Sequence, residues 1–260
     1  MKQPEGFIES GKENKVCKLV KSLYDLKQAP KQWHEKFDLV IISYGFHINN
    51  SDKYVYVKQY DDGVYAILCL CVDDILIFGS NIDVINDVKH MLSSNFDMKD
   101  LGLVDVILGI KILQKDCNII LTQSYYVEKL LKKFNYFDVK PVLMPFDPSI
   151  KLKKKLGEGI SSNKHSQIIG SLLHLTIFSR PDIAYAVGRL EKYTHNHDHS
   201  HWTALERVFK YLKGTINYGI HYTKFPTVIE GYSYANWISD SNDTKSTTSY
   251  VFTLRGGAVS

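Results

Sequence analysis

Asp73 and Asp74 stand side by side where two apolar runs, residues 64–72 and 75–79, meet. Adjacent carboxylates repel each other and sit poorly between apolar segments. A hard divalent cation relieves that repulsion, because Mg²⁺ takes oxygen ligands and commonly uses one or two carboxylates together with substrate phosphates. The pair is therefore a candidate metal-binding turn, with a solvated surface turn as the alternative. A second constellation, Thr194-His-Asn-His-Asp-His-Ser-His201, puts a histidine at every second position. In an extended loop these imidazoles point to one side and suit Zn²⁺ or Ni²⁺. A built site draws ligands from more than one element and braces them with further hydrogen bonds. This run reads as a connector between helices, so the expectation is adventitious binding to a nickel resin. Cys17, Cys69, Cys71 and Cys117 include no C-x-x-C pair and point to a reduced, cytoplasmic setting. Cys69 and Cys71 fall on one strand face as buried free thiols.

Both runs flanking the aspartates are rich in β-branched and aromatic residues and read as neighbouring buried strands joined by a tight turn at Asp73 and Asp74. That turn lacks the glycine of ordinary two-residue hairpins. One strand earlier, Asp61-Asp62-Gly63 supplies it, after an alternating strand over residues 54–60. Upstream, residues 16–26 read as an extended, lysine-studded segment. A helix follows from Pro30, with Trp33, Phe37, Val40, Ile41 and Tyr44 at helical spacing and Gly45 as its stop. Its polar side begins with Lys27, Gln28, Lys31 and Gln32, which by itself reads as a solvated face. Downstream, Val84, Val88, Met91, Leu92 and Phe96 mark an amphipathic helix capped by Asp83. Residues 104–113 and 119–122 read as a strand pair linked through Lys115-Asp116-Cys117-Asn118. The order predicts an α+β domain with an antiparallel sheet covered by helices on one face.

From Tyr125 the pattern turns helical, with stripes ending at Phe134, Leu175, Tyr193 and Leu212, the last before Gly214. A stretch near 138–163, with Pro141, Pro145 and Pro148 followed by Lys151, Lys153, Lys154 and Lys155, reads as a linker. Strands return near 218–222, 228–232 and 249–254. The chain is long enough for one large domain or two, and its net charge of +4 permits a nucleic-acid partner without requiring one. No apolar run reaches bilayer length, so no membrane partner is expected. Lys2-Gln-Pro-Glu-Gly-Phe7 has neither targeting character nor a helix start and reads as the middle of something longer.

Several separated motifs resemble one family in order and spacing: Ser22-Leu-Tyr-Asp-Leu-Lys-Gln-Ala-Pro-Lys-Gln-Trp33, Cys71-Val-Asp-Asp74, Phe96-Asp-Met-Lys-Asp-Leu-Gly102 and Ile107-Leu-Gly-Ile110. Further on come Ile169-Gly-Ser-Leu-Leu173, Arg180-Pro-Asp-Ile-Ala-Tyr-Ala186, His201-Trp202, Tyr211-Leu-Lys-Gly214, Gly231-Tyr-Ser-Tyr-Ala-Asn-Trp237 and Lys245-Ser-Thr-Thr-Ser-Tyr250. Together they resemble the reverse transcriptase region of a copia-type LTR retrotransposon Pol polyprotein, running into the start of its ribonuclease H. The resemblance implies an incomplete reverse transcriptase palm with a primer-grip hairpin over 1–122. Thumb-like helices over 123–215 and a truncated ribonuclease H-like β segment over 216–260 would follow.

It implies RNA-directed DNA polymerisation by two-metal nucleotidyl transfer, with Asp73 and Asp74 holding Mg²⁺ or Mn²⁺. Tyr24, Lys27, Gln28 and Lys31 would meet nucleotide or template, and Leu108, Gly109 and Ile110 the primer end. RNA template, DNA primer, their hybrid and deoxynucleoside triphosphates are the implied partners. The chain also departs from the family pattern. The family places another catalytic aspartate just upstream of the segment that residues 2–7 resemble, and this chain begins after it; Asp25 stands where glycine is usual, and Cys71 stands where tyrosine is usual. Tyr234 occupies the position of the first ribonuclease H aspartate. The expectation is a copy inactive alone, with a non-catalytic nucleic-acid-binding remnant and an unrelated palm-like nucleotidyl transferase as the other readings.

Overall fold

The structure is a computed structural model that describes residues 2–8, 10–20, 23, 26–116, 118–150, 152–153, 163–223, 228–240 and 245–259, without the side chains of 236–240, 245 and 247. Ser22, Tyr24, Asp25, Cys117, Lys151, Lys154 and Lys155 lie outside the described residues. The chain divides into two units, Met1–Gly102 and Leu103–Ser260. Both mix helices with antiparallel sheets, so the α+β expectation holds.

In the first unit, α1 (Ala29–Ser43) precedes β1 (His47–Ile48), β2 (Val55–Gln59), β3 (Tyr65–Cys71), β4 (Asp74–Gly79) and α2 (Ile82–Asn95). The sheet has the order β1-β2-β3-β4, antiparallel throughout. Pro30 sits in the first turn of α1, where its missing N–H is no loss. The helix closes with the Gly45 N–H on the Ile42 carbonyl and the Phe46 N–H on that of Ile41. Alternation sorts the central strand. Ala66, Leu68 and Leu70 are buried with Phe37 and Ile41 of α1 and Val84, Val88, Met91 and Leu92 of α2. The intervening Ile67, Cys69 and Cys71 occupy the other face and are only half-buried, so these free thiols are less enclosed than expected. Asn81, rather than Asp83, caps α2: its backbone is extended and its side-chain oxygen accepts from the Val84 N–H at 2.9 Å. Asp83 falls inside the first turn, where its charge complements the helix dipole.

The second unit opens with β5 (Val106–Ile107), β6 (Ile110–Lys115) and β7 (Asn118–Thr122), then α3 (Ser124–Lys133) and α4 (Asn163–Phe178). After a 3-10 turn at Pro181–Ile183 come α5 (Ala184–Glu191), α6 (His199–Gly214), β8 (Gly219–Tyr222), β9 (Ile229–Asp240), β10 (Lys245–Leu254) and β11 (Gly257–Ala258). Two sheets result, β5-β6-β7-β8 and β11-β10-β9. The stretch expected as one strand over 104–113 breaks into a hairpin, because Leu108 (φ 49°) and Gly109 (φ 77°) both turn left-handed and Ile107 pairs with Ile110. The helical core joins Val127, Leu130 and Leu131 of α3 to Ile168, Ile169, Leu172 and Leu175 of α4, Val187 of α5 and Leu205, Val208, Phe209 and Leu212 of α6. Part of the proline-bearing stretch lies against these helices: Arg207 pairs with Asp147 at 3.2 Å, and the Tyr193 hydroxyl donates to the Leu152 carbonyl.

β8 reaches β7 across 96 residues of chain, and Gly219 allows the approach: a Cβ there would lie 2.3 Å from the Leu121 carbonyl oxygen. Backbone cannot yield as a flexible side chain can. Gly219→Ala is therefore expected to destabilise this unit by about 1–3 kcal/mol and to raise amide exchange at Leu121 and Ile220. Unchanged exchange at both would refute the tight-approach account.

Candidate active site

The register of β3 with β4 fixes the turn. Cys71 pairs with Asp74, so the two central residues are Val72 and Asp73, and the expected Asp73-Asp74 turn is shifted by one residue. In this register Leu68 lies opposite Ile77 and Leu70 opposite Ile75, and all four pack in the helix-covered core. Val72 consequently carries φ 59°, an outlying conformation for a β-branched side chain, and is exposed. Asp74 opens β4 on the face shared with Cys71, while Asp73 borders a groove of about 360 Å³ lined also by Trp33, Lys36, Asn95, Phe96, Asp97 and Met98. Both aspartates are exposed. Among the described residues, neither carboxylate has an ion pair or hydrogen bond, which leaves their oxygens available to a cation.

Trp33 ties the helix to this turn. Its indole N–H donates to the Val72 carbonyl at 3.1 Å, and its ring packs on Phe37 and edge-on against Phe96 at centroid distances of 5.7 and 5.3 Å. Lys36, one turn further along α1, extends its ammonium over the Phe96 ring at 5.7 Å from the centroid and makes no ion pair among the described residues. Sequence reading passed over Lys36, although its spacing from Trp33 puts both on one helix face.

The other expected site residues lie in several places. Lys27 and Gln28 are exposed at the entry to α1, and Lys31 pairs with Glu35 at 3.7 Å; none of the three lines the groove. Leu108, Gly109 and Ile110 form the β5–β6 turn of the second unit, with Leu108 exposed. Tyr234 is exposed on β9, opposite Ser249.

The histidine run is not an extended array. Asp198 caps α6 and accepts from the Ser200 and His201 N–H groups, while its own backbone N–H donates to Nδ1 of the His201 ring. Ser200 and then His201 hold the Asp198 carboxyl well below the usual range. His197 is buried and stacks on His165 of α4 at 4.2 Å, with Trp202 edge-on to both. Among the described residues, no group of three histidine, cysteine or acidic side chains could hold a metal.

Among the described residues, neither ring nitrogen of His165 has a hydrogen-bond partner. Burial first, then the charges of His197 and His201, push its pKa down from 6.5 to about 4. The unfolded chain therefore takes up a proton across that interval that the folded chain refuses, and stability falls as pH drops from 6.5 towards 4. Among the charged groups at the cluster, Asp198 contacts His201 and Lys164 lies 6.0 Å from the Trp202 ring. A melting profile from pH 7 to about 4 is expected to flatten in His165→Phe; parallel profiles would refute the assignment.

A family model described as reverse transcriptase (RNA-dependent DNA polymerase) matches residues 1–148, more than half of the chain. The chain belongs to the reverse transcriptase family. It is 40% identical, over all of its length, to a Pol polyprotein from transposon TNT 1-94 of Nicotiana tabacum, of which it covers 20%. It is 38% identical, over 98% of its length, to the Pol polyprotein from transposon RE1 of Arabidopsis thaliana, covering 17% of it. An uncharacterised mitochondrial protein of Arabidopsis thaliana is 34% identical over 74% of this chain and 80% of its own length. No solved structure matches. The chain spans about a fifth of the polyproteins it matches, and the copia-type resemblance is borne out. The matched region contains α1, α2, the carboxylate turn and the β5–β6 hairpin.

Proposed function

We propose that the chain contributes the metal-binding turn of an RNA-directed DNA polymerase, with Asp73 and Asp74 as its carboxylate ligands. The observation carrying this reading is a pair of exposed carboxylates, without partners among the described residues, on a tight strand turn beside a groove, in a chain of this family. The donor set is all oxygen, as Mg²⁺ or Mn²⁺ requires. When bound, such a cation supplies charge stabilisation at a transferring phosphoryl group. The chain's own residues do the rest. Asp73 faces the groove, Lys36 offers an ammonium to phosphate oxygens there, and Trp33, Phe96 and Met98 give it apolar walls. In this reading the first unit with the β5–β6 hairpin is palm, Leu108 to Ile110 contact the primer end, and the helices of the second unit are thumb-like. Strands β8 to β11 form the ribonuclease H-like segment. RNA template, DNA primer and deoxynucleoside triphosphates are the proposed partners.

Two carboxylates make a weak site by themselves, so the chain alone is expected to bind metal and hybrid duplex with little turnover. Primer extension on an RNA template with Mn²⁺ tests this, alongside binding of an RNA/DNA hybrid across a salt series. Robust incorporation abolished by Asp73→Asn would overturn the low-turnover expectation and uphold the site. Absence of Mn²⁺ binding by the unaltered chain would sink the site.

A further inference from the structure

We propose that Trp33 is a positioning residue for the carboxylate turn, and that its indole N–H, held against the Val72 carbonyl, fixes the strained backbone that presents Asp73 and Asp74. The inference rests on the metal-site reading above and adds a residue to it that touches neither metal nor substrate. Val72 is held at φ 59°, where a β-branched side chain clashes with its own backbone, and strain of this kind persists only when its surroundings hold it. The Val72 side chain is 75% exposed and makes no core contact to do so. The indole hydrogen bond spans 39 residues and ends on the strained residue itself.

The donor is in turn immobilised. Phe37 and Phe96, both buried, contact the indole and lie 5.6 Å from each other in a stacked arrangement. Phe37 belongs to α1 and Phe96 follows the end of α2, so both helices converge on one ring whose polar edge meets the turn. A two-residue turn with a non-glycine residue at positive φ has few alternatives once its first carbonyl is pinned. Freed from Trp33, Val72 relaxes towards negative φ and Asp73 and Asp74 lose the positions that this turn gives them.

The full chain carrying 3-benzothienylalanine at position 33 tests this, because sulfur replaces the N–H while the ring shape is kept. Mn²⁺ binding, followed by the EPR signal of the free ion, is expected to weaken about fivefold, with a melting temperature close to that of the unaltered chain. Trp33→Phe is expected to weaken it at least as much. In a Val72→Gly background, where positive φ carries no strain, removing the indole donor is expected to have little effect. Unchanged Mn²⁺ affinity in the benzothienyl variant, with binding still lost in Asp73→Asn, would overturn the positioning role and leave the metal site standing. An equal loss with and without the Val72→Gly change would overturn it as well. No Mn²⁺ binding by the unaltered chain would remove the metal site and the inference together.

Discussion

Asp73→Asn is expected to weaken Mn²⁺ binding by at least about tenfold while leaving the melting temperature of the metal-free chain unchanged or slightly raised. The two halves of this result have one cause. Asp73 sits at the second centre of the β3–β4 turn, exposed and without a protein partner among the described residues, so its charge contributes no contact to the fold. It does stand next to Asp74, and removing one of two adjacent like charges relieves repulsion. A purely structural aspartate behaves in the opposite way, because an amide in its place loses a bond and stability falls. Function and stability pulling apart at one side chain is the ordinary mark of a site kept for binding. Asp74→Asn is expected to follow the same pattern. Titration of Mn²⁺ against the three proteins, with parallel thermal melts, checks it. A lower melting temperature with unchanged metal affinity would return the pair to the status of a surface turn.

What could be seen in the sequence was whatever is local. The strands around the aspartates announce themselves because burial alternates along them, and α1 because Phe37 and Ile41 recur at helical spacing below Pro30. The turn was misplaced by one residue because its position depends on which residues of β3 face which residues of β4, and no stretch of chain contains that register. The break at Leu108 and Gly109 was hidden in a continuous apolar run. Asn81 and Asp83 are both competent caps, and only the extended backbone at residue 81 decides between them. Alternating histidines looked like an array until Asp198 started a helix in their midst. The groove escaped entirely. Its walls come from residues 33, 36, 73 and 95–98, which converge only because two helices pack on one sheet. The carboxylates were found from chemistry and resemblance, whereas Lys36 and the Trp33 bond needed the fold.

Arg180→Ala is expected to destabilise the second unit by about 3 kcal/mol, near the lower end for breaking a buried ion pair. Arg180 entered the sequence reading only as part of a family motif, yet it is 1% exposed and organises the junction of α4, α5 and α6. Its Nε and Nη2 donate to the two oxygens of Asp182 at 2.9 and 2.8 Å. Nη1 and Nη2 reach the carbonyl and hydroxyl of Thr215 at 3.0 and 2.7 Å, and Tyr211 and Tyr218 each lie 5.6 Å from the guanidinium carbon. Truncation removes the guanidinium bonds to the Thr215 carbonyl and hydroxyl, leaving that carbonyl with the Tyr218 N–H, and leaves Asp182 with the Tyr211 hydroxyl and its own backbone N–H. Burial by itself pushes the Asp182 carboxyl up, but the guanidinium, with the Tyr211 hydroxyl and a backbone N–H, outweighs it and holds the group below its usual 3.8. That contribution is present above pH 3.8 and is lost as pH falls through the depressed value, so the alanine variant should also show a weaker acid transition. Lysine cannot reproduce the planar fork, and Arg180→Lys is expected to recover only part of the loss. Because Asp182 keeps a third of its side-chain exposure, water tempers the penalty and argues against the upper end of the range. Hydrogen exchange resolves the effect by region: protection should fall across α4 to α6 and hold in α1 and α2. A loss confined to the two residues flanking position 180, or a change below about 1 kcal/mol, would show the guanidinium to be an ornament on the helical core rather than the group that closes it.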